Sequence, residues 1–143
     1  MRILLKELPK LAKKVIEKLP GHPNRASLLF LQGELGAGKT TFVQVLAREL
    51  GVSEPAVSPT YVLMKKYQTT SSTFKTLVHI DLYRLEKPEE LAALKLEKVF
   101  ADPGNLVCIE WPERAEGVLP QADMTLQFSS DGASAEERYI DVQ

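Results

Sequence analysis

Cysteine is almost missing from this chain, with Cys108 the single example among 143 residues. An intramolecular disulfide is therefore excluded. A lone thiol inside the apolar run Leu106-Val-Cys-Ile109 reads as a small core residue in a reducing compartment. An excess of charge of one sign is missing as well: 18 basic residues face 19 acidic ones, for a net charge of −1. No strong general field draws such a chain to nucleic acid or to a membrane. No apolar run approaches bilayer length, and no signal-peptide pattern opens the sequence, so a cytoplasmic protein without a membrane role is expected. Internal repeats are absent too. What remains, 44% hydrophobic and 26% charged, suits one globular domain over residues 1–143 with a core of its own.

The most informative stretch runs from Leu28 to Thr41. Four apolar residues (Leu28, Leu29, Phe30, Leu31) lead into Gly33, four further residues, and then Gly38, Lys39 and Thr40. This is the strand, glycine-rich turn and helix start of a phosphate-binding loop. Gly36 and Gly38 allow backbone dihedrals closed to other residues, so that successive N–H groups can face phosphate oxygens. Lys39 supplies a point charge for the β- and γ-phosphates, and the Thr40 hydroxyl is suited to Mg²⁺. The residues from Lys39 to Leu50 read as a helix ended by Gly51, and its N-terminus adds partial positive charge at the anion. At 143 residues the chain is short for a protein with such a loop, which leaves little room for a separate substrate domain.

Before the loop, Leu8, Leu11, Ala12, Val15, Ile16 and Leu19 recur at helical spacing, interleaved with Lys10, Lys13, Lys14 and Lys18. The lysine row reads as the solvated face of an amphipathic helix, with RNA contact as the competing reading. His22 falls in the following breaker-rich loop, exposed and without a nameable role. After the helix, Ser58 and Thr60 carry hydroxyls suited to sensing a γ-phosphate. An ordinary turn fixed by Pro59 fits the spacing equally well. Tyr61–Tyr67 and Phe74–Asp81 read as a β-hairpin, and residues 87–97 as a helix opened by Pro88. Asp123–Phe128 and Arg138–Val142 read as a closing pair of strands.

Two acids end apolar strands. Asp81 closes Leu77-Val-His-Ile, where it either faces a ligand crevice or caps the next turn. Glu110 closes Leu106-Val-Cys-Ile, in the shape of a Walker B strand. His79 reads as a packed strand residue, since no second metal-type residue sits at matching spacing. Trp111 reads as packing, with a stacking role as the competing reading. Two strand-end acids beside a phosphate loop favour Mg-nucleotide hydrolysis over binding alone. Glu110 pairs with Thr40 at the metal in this reading, while Asp81 orders water, although spacing does not divide their roles. No Asn-Lys-x-Asp run is present for guanine, so ATP is expected. No arginine is plainly offered to the γ-phosphate in cis, which predicts slow turnover without a partner. A small-molecule kinase and a non-catalytic nucleotide-gated scaffold are the competing readings; against the kinase stand the short chain and the lack of an arginine-rich lid.

Gly33-Glu-Leu-Gly-Ala-Gly-Lys-Thr-Thr41, Ser58-Pro-Thr-Tyr61, His79-Ile-Asp-Leu-Tyr-Arg84 and Glu110-Trp-Pro-Glu-Arg114 occur in the order and approximate spacing of the TsaE family. These are bacterial ATPases needed to make threonylcarbamoyladenosine on tRNA. The chain resembles that family from the phosphate loop to the last strand, and least over the N-terminal helix. The resemblance implies an α/β P-loop NTPase fold: a mixed sheet with a parallel core and antiparallel flanking strands, and helices on both faces. It implies ATP and Mg²⁺ as cofactors and TsaB and TsaD as partners, with tRNA met only through that complex. Family members do not transfer the threonylcarbamoyl group; TsaD does, and ATP hydrolysis resets the TsaB–TsaD complex. Carried over by position, Gly33, Glu34, Leu35, Gly36, Ala37, Gly38, Lys39, Thr40 and Thr41 hold the nucleotide. Thr40 and Glu110 serve the metal, Lys39, Asp81 and Glu110 the chemistry, Thr60 the sensing loop, and Arg138 matches a late arginine near the nucleotide.

With so little net charge, the isolated protein is expected to retain tRNA only weakly in a filter-binding assay at physiological salt. Tight retention that falls steeply with salt would instead put the lysine row of the N-terminal helix on RNA.

Overall fold

The computed structural model describes residues 1–54 and 63–143. Ser27–Gln32 form the strand that carries the loop; with Arg2–Leu4 before it, this is β2 to that strand's β1. The later strands are β3 (Met64–Gln68), β4 (Thr76–Asp81), β5 (Asn105–Glu110), β6 (Met124–Ser129) and β7 (Glu137–Val142). They form one seven-stranded sheet in the order β1-β7-β6-β2-β5-β4-β3. The inner four, β6, β2, β5 and β4, run parallel, while β3, β7 and β1 add antiparallel edges. All six residues of β5 are buried, which is why it reads as a continuous apolar run ending in an acid.

Alternation along the strands divides the core in two. Leu29, Leu31, Leu77, Leu106 and Cys108 face α1 (Leu8–Lys18) and α2 (Lys39–Glu49), which contribute Leu11, Val15, Phe42, Val43 and Leu46. Each large side chain so buried contributes about 1.5–3 kcal/mol. Leu28, Val78, Ile80, Val107 and Ile109 face the other way, against Leu91, Leu96, Val99 and Ala115. Cys108 lies deep in the first layer, and burial pushes its thiol well above the usual range. The lysines of α1 are exposed, as a solvated face should be, and Lys13 reaches Glu49 of α2 at 3.8 Å. Among the described residues no helix is long and apolar enough to cross a membrane.

Two local readings need correction, and one short strand was not foreseen. The helix expected over 87–97 is a 3₁₀ segment, Pro88–Leu94, followed by the separate α3, Leu96–Ala101. Lys95 breaks it by entering the left-handed region at φ 51°. The three-residue β1 carries too little pattern to announce itself, and it forms by pairing with β7. His22 is not an idle exposed residue, because its Nε2 lies 2.9 Å from Asp123 Oδ1.

Asp123 anchors the end of the sheet away from the loop. Its backbone N–H donates to Leu28 O at 2.9 Å. Its carboxylate accepts the Leu28 N–H at 2.8 Å, with His22 and the Arg25 guanidinium against the other side. Burial alone would raise its pKa, but the Leu28 N–H, Arg25 and His22 outweigh that and hold it below the usual aspartate value. A folded pKa below the unfolded value of about 3.9 means stability present above that pH and lost as pH falls through the folded value. Asp123→Ala is expected to cost about 1.5–3 kcal/mol at neutral pH, since charge-assisted hydrogen bonds are lost and a buried N–H is orphaned. In denaturant unfolding the gap from wild type should narrow below about pH 4; a gap that stays constant would show that the charge contributes nothing.

Candidate functional site

Register brings the site together. In β2, Leu31 pairs with Glu110 of β5, and Glu110 pairs with Asp81 of β4, so three strands end level at their carboxyl edge. Open α/β sheets place ligands at that edge. The loop from Gly33 to Gly38 leaves β2 there and returns as α2, whose first residues are Lys39 and Thr40. Gly33 (φ 143°) and Gly38 (φ 107°) both take backbone that L side chains rarely adopt. At Gly33 the neighbour excludes a side chain as well, since a Cβ would lie 2.5 Å from the Phe128 carbonyl oxygen.

Thr40 and Glu110 meet directly. The Thr40 hydroxyl lies 3.0 and 3.1 Å from the two oxygens of Glu110, which is only 2% exposed. A hydroxyl that donates to a carboxylate keeps its lone pairs for a cation. Mg²⁺ is ordinarily held by one or two protein oxygens together with phosphate and water, and this pair meets that requirement. Among the described residues no three His, Cys, Asp or Glu side chains form a metal site by themselves.

Lys39 is 4% exposed, and its ammonium donates to the carbonyls of Gly33 and, at 3.0 Å, Glu34. It also lies 4.3 Å from the centroid of the Trp111 ring. Burial holds its pKa below the ordinary lysine value, opposed by the charges of Glu110, Glu113, Asp81 and Glu34. Trp111 is thus more than packing. It sits at φ 59°, its backbone N–H donates to Leu31 O, and its ring meets Tyr83 at 5.2 Å. The Arg114 guanidinium lies 5.7 Å from both rings, one cationic group that sequence spacing did not point toward the loop.

The other expected residues divide. Asp81 is level with Glu110, and one of its oxygens accepts the Tyr83 N–H at 3.0 Å, so it stands at the ligand edge and also caps its turn. Leu35 and Thr41 are exposed, and Ala37 is fully buried. The Glu34 side chain turns away to Ser130, whose N–H and hydroxyl hold its carboxyl below the usual range. Arg138 lies against the loop: a Cβ on Gly38 would be 3.6 Å from its Nε, which is buried without a hydrogen-bond partner. Its outer nitrogen donates to the carbonyls of Glu137 and Ala135. Ser58 and Thr60 fall outside the described residues.

One contact at the site was not legible in the sequence. His79 is a packed strand residue, as expected, but its Nε2 lies 2.5 Å from Glu110 Oε2. Linear spacing could not reveal this, because the partner arrives from the neighbouring strand. The available signal was alternation, which puts His79 on the same face as Asp81.

Known proteins resemble this chain in sequence and fold. The family model described as threonylcarbamoyl adenosine biosynthesis protein TsaE matches residues 5–140. A Haemophilus influenzae tRNA threonylcarbamoyladenosine biosynthesis protein TsaE is 38% identical over 107 residues, 75% of this chain and 65% of that protein. A Nostoc protein of the same name is 48% identical over 92 residues, 62% of this chain and 54% of its own length. The matches therefore span less than two thirds of both relatives. The crystal structure of Bacillus subtilis YdiB superimposes with a TM-score of 0.70 at 27% identity, covering 98% of this chain and 80% of that one.

Gly33→Ala is expected to destabilise by about 1–3 kcal/mol in denaturant unfolding, the usual cost of forcing atoms into a filled space. Gly36→Ala has open space around the new Cβ at φ 80°, and should show only the backbone cost of about 1–2 kcal/mol. A Gly33→Ala protein as stable as wild type would mean that the corner at Phe128 yields freely.

Proposed function

The chain belongs to the TsaE family of threonylcarbamoyl adenosine biosynthesis proteins, and we propose that it is a Mg²⁺-dependent ATPase that acts with TsaB and TsaD in modifying adenosine 37 of tRNA. The observation that carries this reading is the Thr40–Glu110 contact beside the phosphate loop. In P-loop NTPases the loop hydroxyl and a strand-end acid share one metal, and here they share a hydrogen bond.

The residues divide the work as follows. Loop backbone N–H groups and the start of α2 face the phosphates. Lys39 leaves the carbonyls of Gly33 and Glu34 to meet the β- and γ-phosphates. Thr40 turns a lone pair to the metal while its hydrogen stays on Glu110. Thr40 and Glu110 would hold Mg²⁺ when it is bound, and the ion would supply charge neutralisation at the phosphates. Glu110 is the metal-side acid; Asp81, level with it on β4, helps to order the attacking water. Arg138 meets the nucleotide in this reading, supported by its unpartnered Nε against Gly38. The absence of an Asn-Lys-x-Asp run favours ATP over GTP. The transfer itself belongs to TsaD in this reading, the present chain resets the complex, and tRNA is met only through it.

ATP hydrolysis is expected to be slow for the protein alone and to rise when TsaB and TsaD are added. Lys39→Ala should weaken ATP binding by about 1.5–3 kcal/mol in titration calorimetry, the value of a charge-assisted hydrogen bond. High turnover without partners, no response to them, or unchanged ATP affinity in Lys39→Ala would each count against the proposal.

A further inference from the structure

Glu110 does not stand on Thr40 alone. Its Oε2 lies 2.5 Å from His79 Nε2, with His79 1% and Glu110 2% exposed. A carboxylate only accepts hydrogen bonds, so Nε2 carries the proton and donates. In the neutral ring Nδ1 is then an acceptor, and it is buried with no partner among the described residues. An unsatisfied buried acceptor is costly. Here the other nitrogen of the same ring holds the strand-end acid.

The arrangement follows from the sheet. His79 pairs with Cys108 across β4 and β5, two residues before the Asp81–Glu110 pair. Alternation puts all four side chains on the face covered by α2. His79 therefore reaches Glu110 from below, from inside the core, while Thr40 reaches it from α2. Among the described residues no carbonyl or carboxylate fixes the ring from behind, so its orientation is set by packing and by the bond to Glu110.

We propose that His79 is a positioning residue for Glu110: it pins Oε2 to β4, fixes the carboxylate's rotamer, and leaves Oε1 with Thr40 to serve the metal and its water. This rests on the hydrolysis reading given above. Through Glu110 it also couples β4, which ends at Asp81, to the loop helix, so the two acids keep a fixed separation. Partners that orient a metal-side ligand typically matter by about 10–100-fold in activity.

The test has two readouts. The chain has 2 histidines, so ¹⁵N-histidine NMR with a His22→Asn control assigns both rings. The expected signature is a slowly exchanging, strongly downfield Nε2–H proton on His79, lost in Glu110→Ala and kept in Asp81→Ala. A ring protonated only at Nδ1, or a signal indifferent to Glu110→Ala, overturns the proposal. Kinetics then separate positioning from folding. In the presence of TsaB and TsaD, His79→Leu should lower kcat by about 10–100-fold, with fluorescent ATP-analogue affinity near wild type. His79→Gln, whose amide can donate from the position of Nε2, should recover most of the loss. Equal loss in both variants at matched thermal stability, or no loss in either, would sink the positioning role while leaving the ATPase reading intact. A wild-type protein without ATP turnover overturns both together.

Discussion

The constraint on which this structure depends is the parallel register of β2, β5 and β4. Leu31, Glu110 and Asp81 stand level across three neighbouring strands, about 4.7–4.9 Å apart in the hydrogen-bonding direction. Side chains alternate with a period of two, so a one-residue slip in β5 would turn Glu110 to the face of Ile109 and bury it against leucines. The register is held by apolar layers on both sides of β5, every residue of which is buried. The core thereby aims the acid at the loop.

Delivering a carboxylate from the most buried strand carries an obligation. A buried charge has to be hydrogen-bonded or it neutralises. Thr40 meets part of that demand from the helix side and His79 the rest from within the sheet. The loop threonine and the strand histidine are thus linked through one carboxylate, though they lie on different elements and 39 positions apart in sequence. Lys39 solves a similar problem by donating to the carbonyls of its own loop and resting against the Trp111 ring.

What could be read from the sequence was what depends on local pattern. The phosphate loop declares itself through Gly33, Gly38, Lys39 and Thr40, and β5 through an apolar run that ends at Glu110, because both signals are contiguous. The parallel core, the antiparallel edges and helices on both faces followed from the family resemblance those motifs carry. What could not be read depends on contacts between distant segments. His79 shows its role only when β4 lies beside β5, and His22 only when Asp123 comes back to the start of β2. The break at Lys95 has no glycine or proline to mark it, so a helix that begins well at Pro88 gives no sign of ending early. Glu34 was grouped with its loop neighbours, yet its side chain answers to Ser130 in the linker after β6.

The two ends of the sheet differ in kind. At the amino end, Asp123 has its carboxylate fully engaged by Leu28, Arg25 and His22. At the carboxyl end the local rules are broken repeatedly. Trp111 sits left-handed immediately before a proline, at a cost of about 1–3 kcal/mol. Lys39 is buried, His79 Nδ1 and Arg138 Nε lack partners, and Gly33 is pressed against the Phe128 carbonyl. Such violations persist only where surrounding structure over-determines them, and here they converge on one loop and one carboxylate. Trp111 shows the connection most directly: its left-handed turn comes straight after Glu110, with its ring beside the Lys39 ammonium. A relaxed extended residue there would continue β5 past the acid and carry the ring away from the lysine. The strain and the site are therefore one feature of the chain.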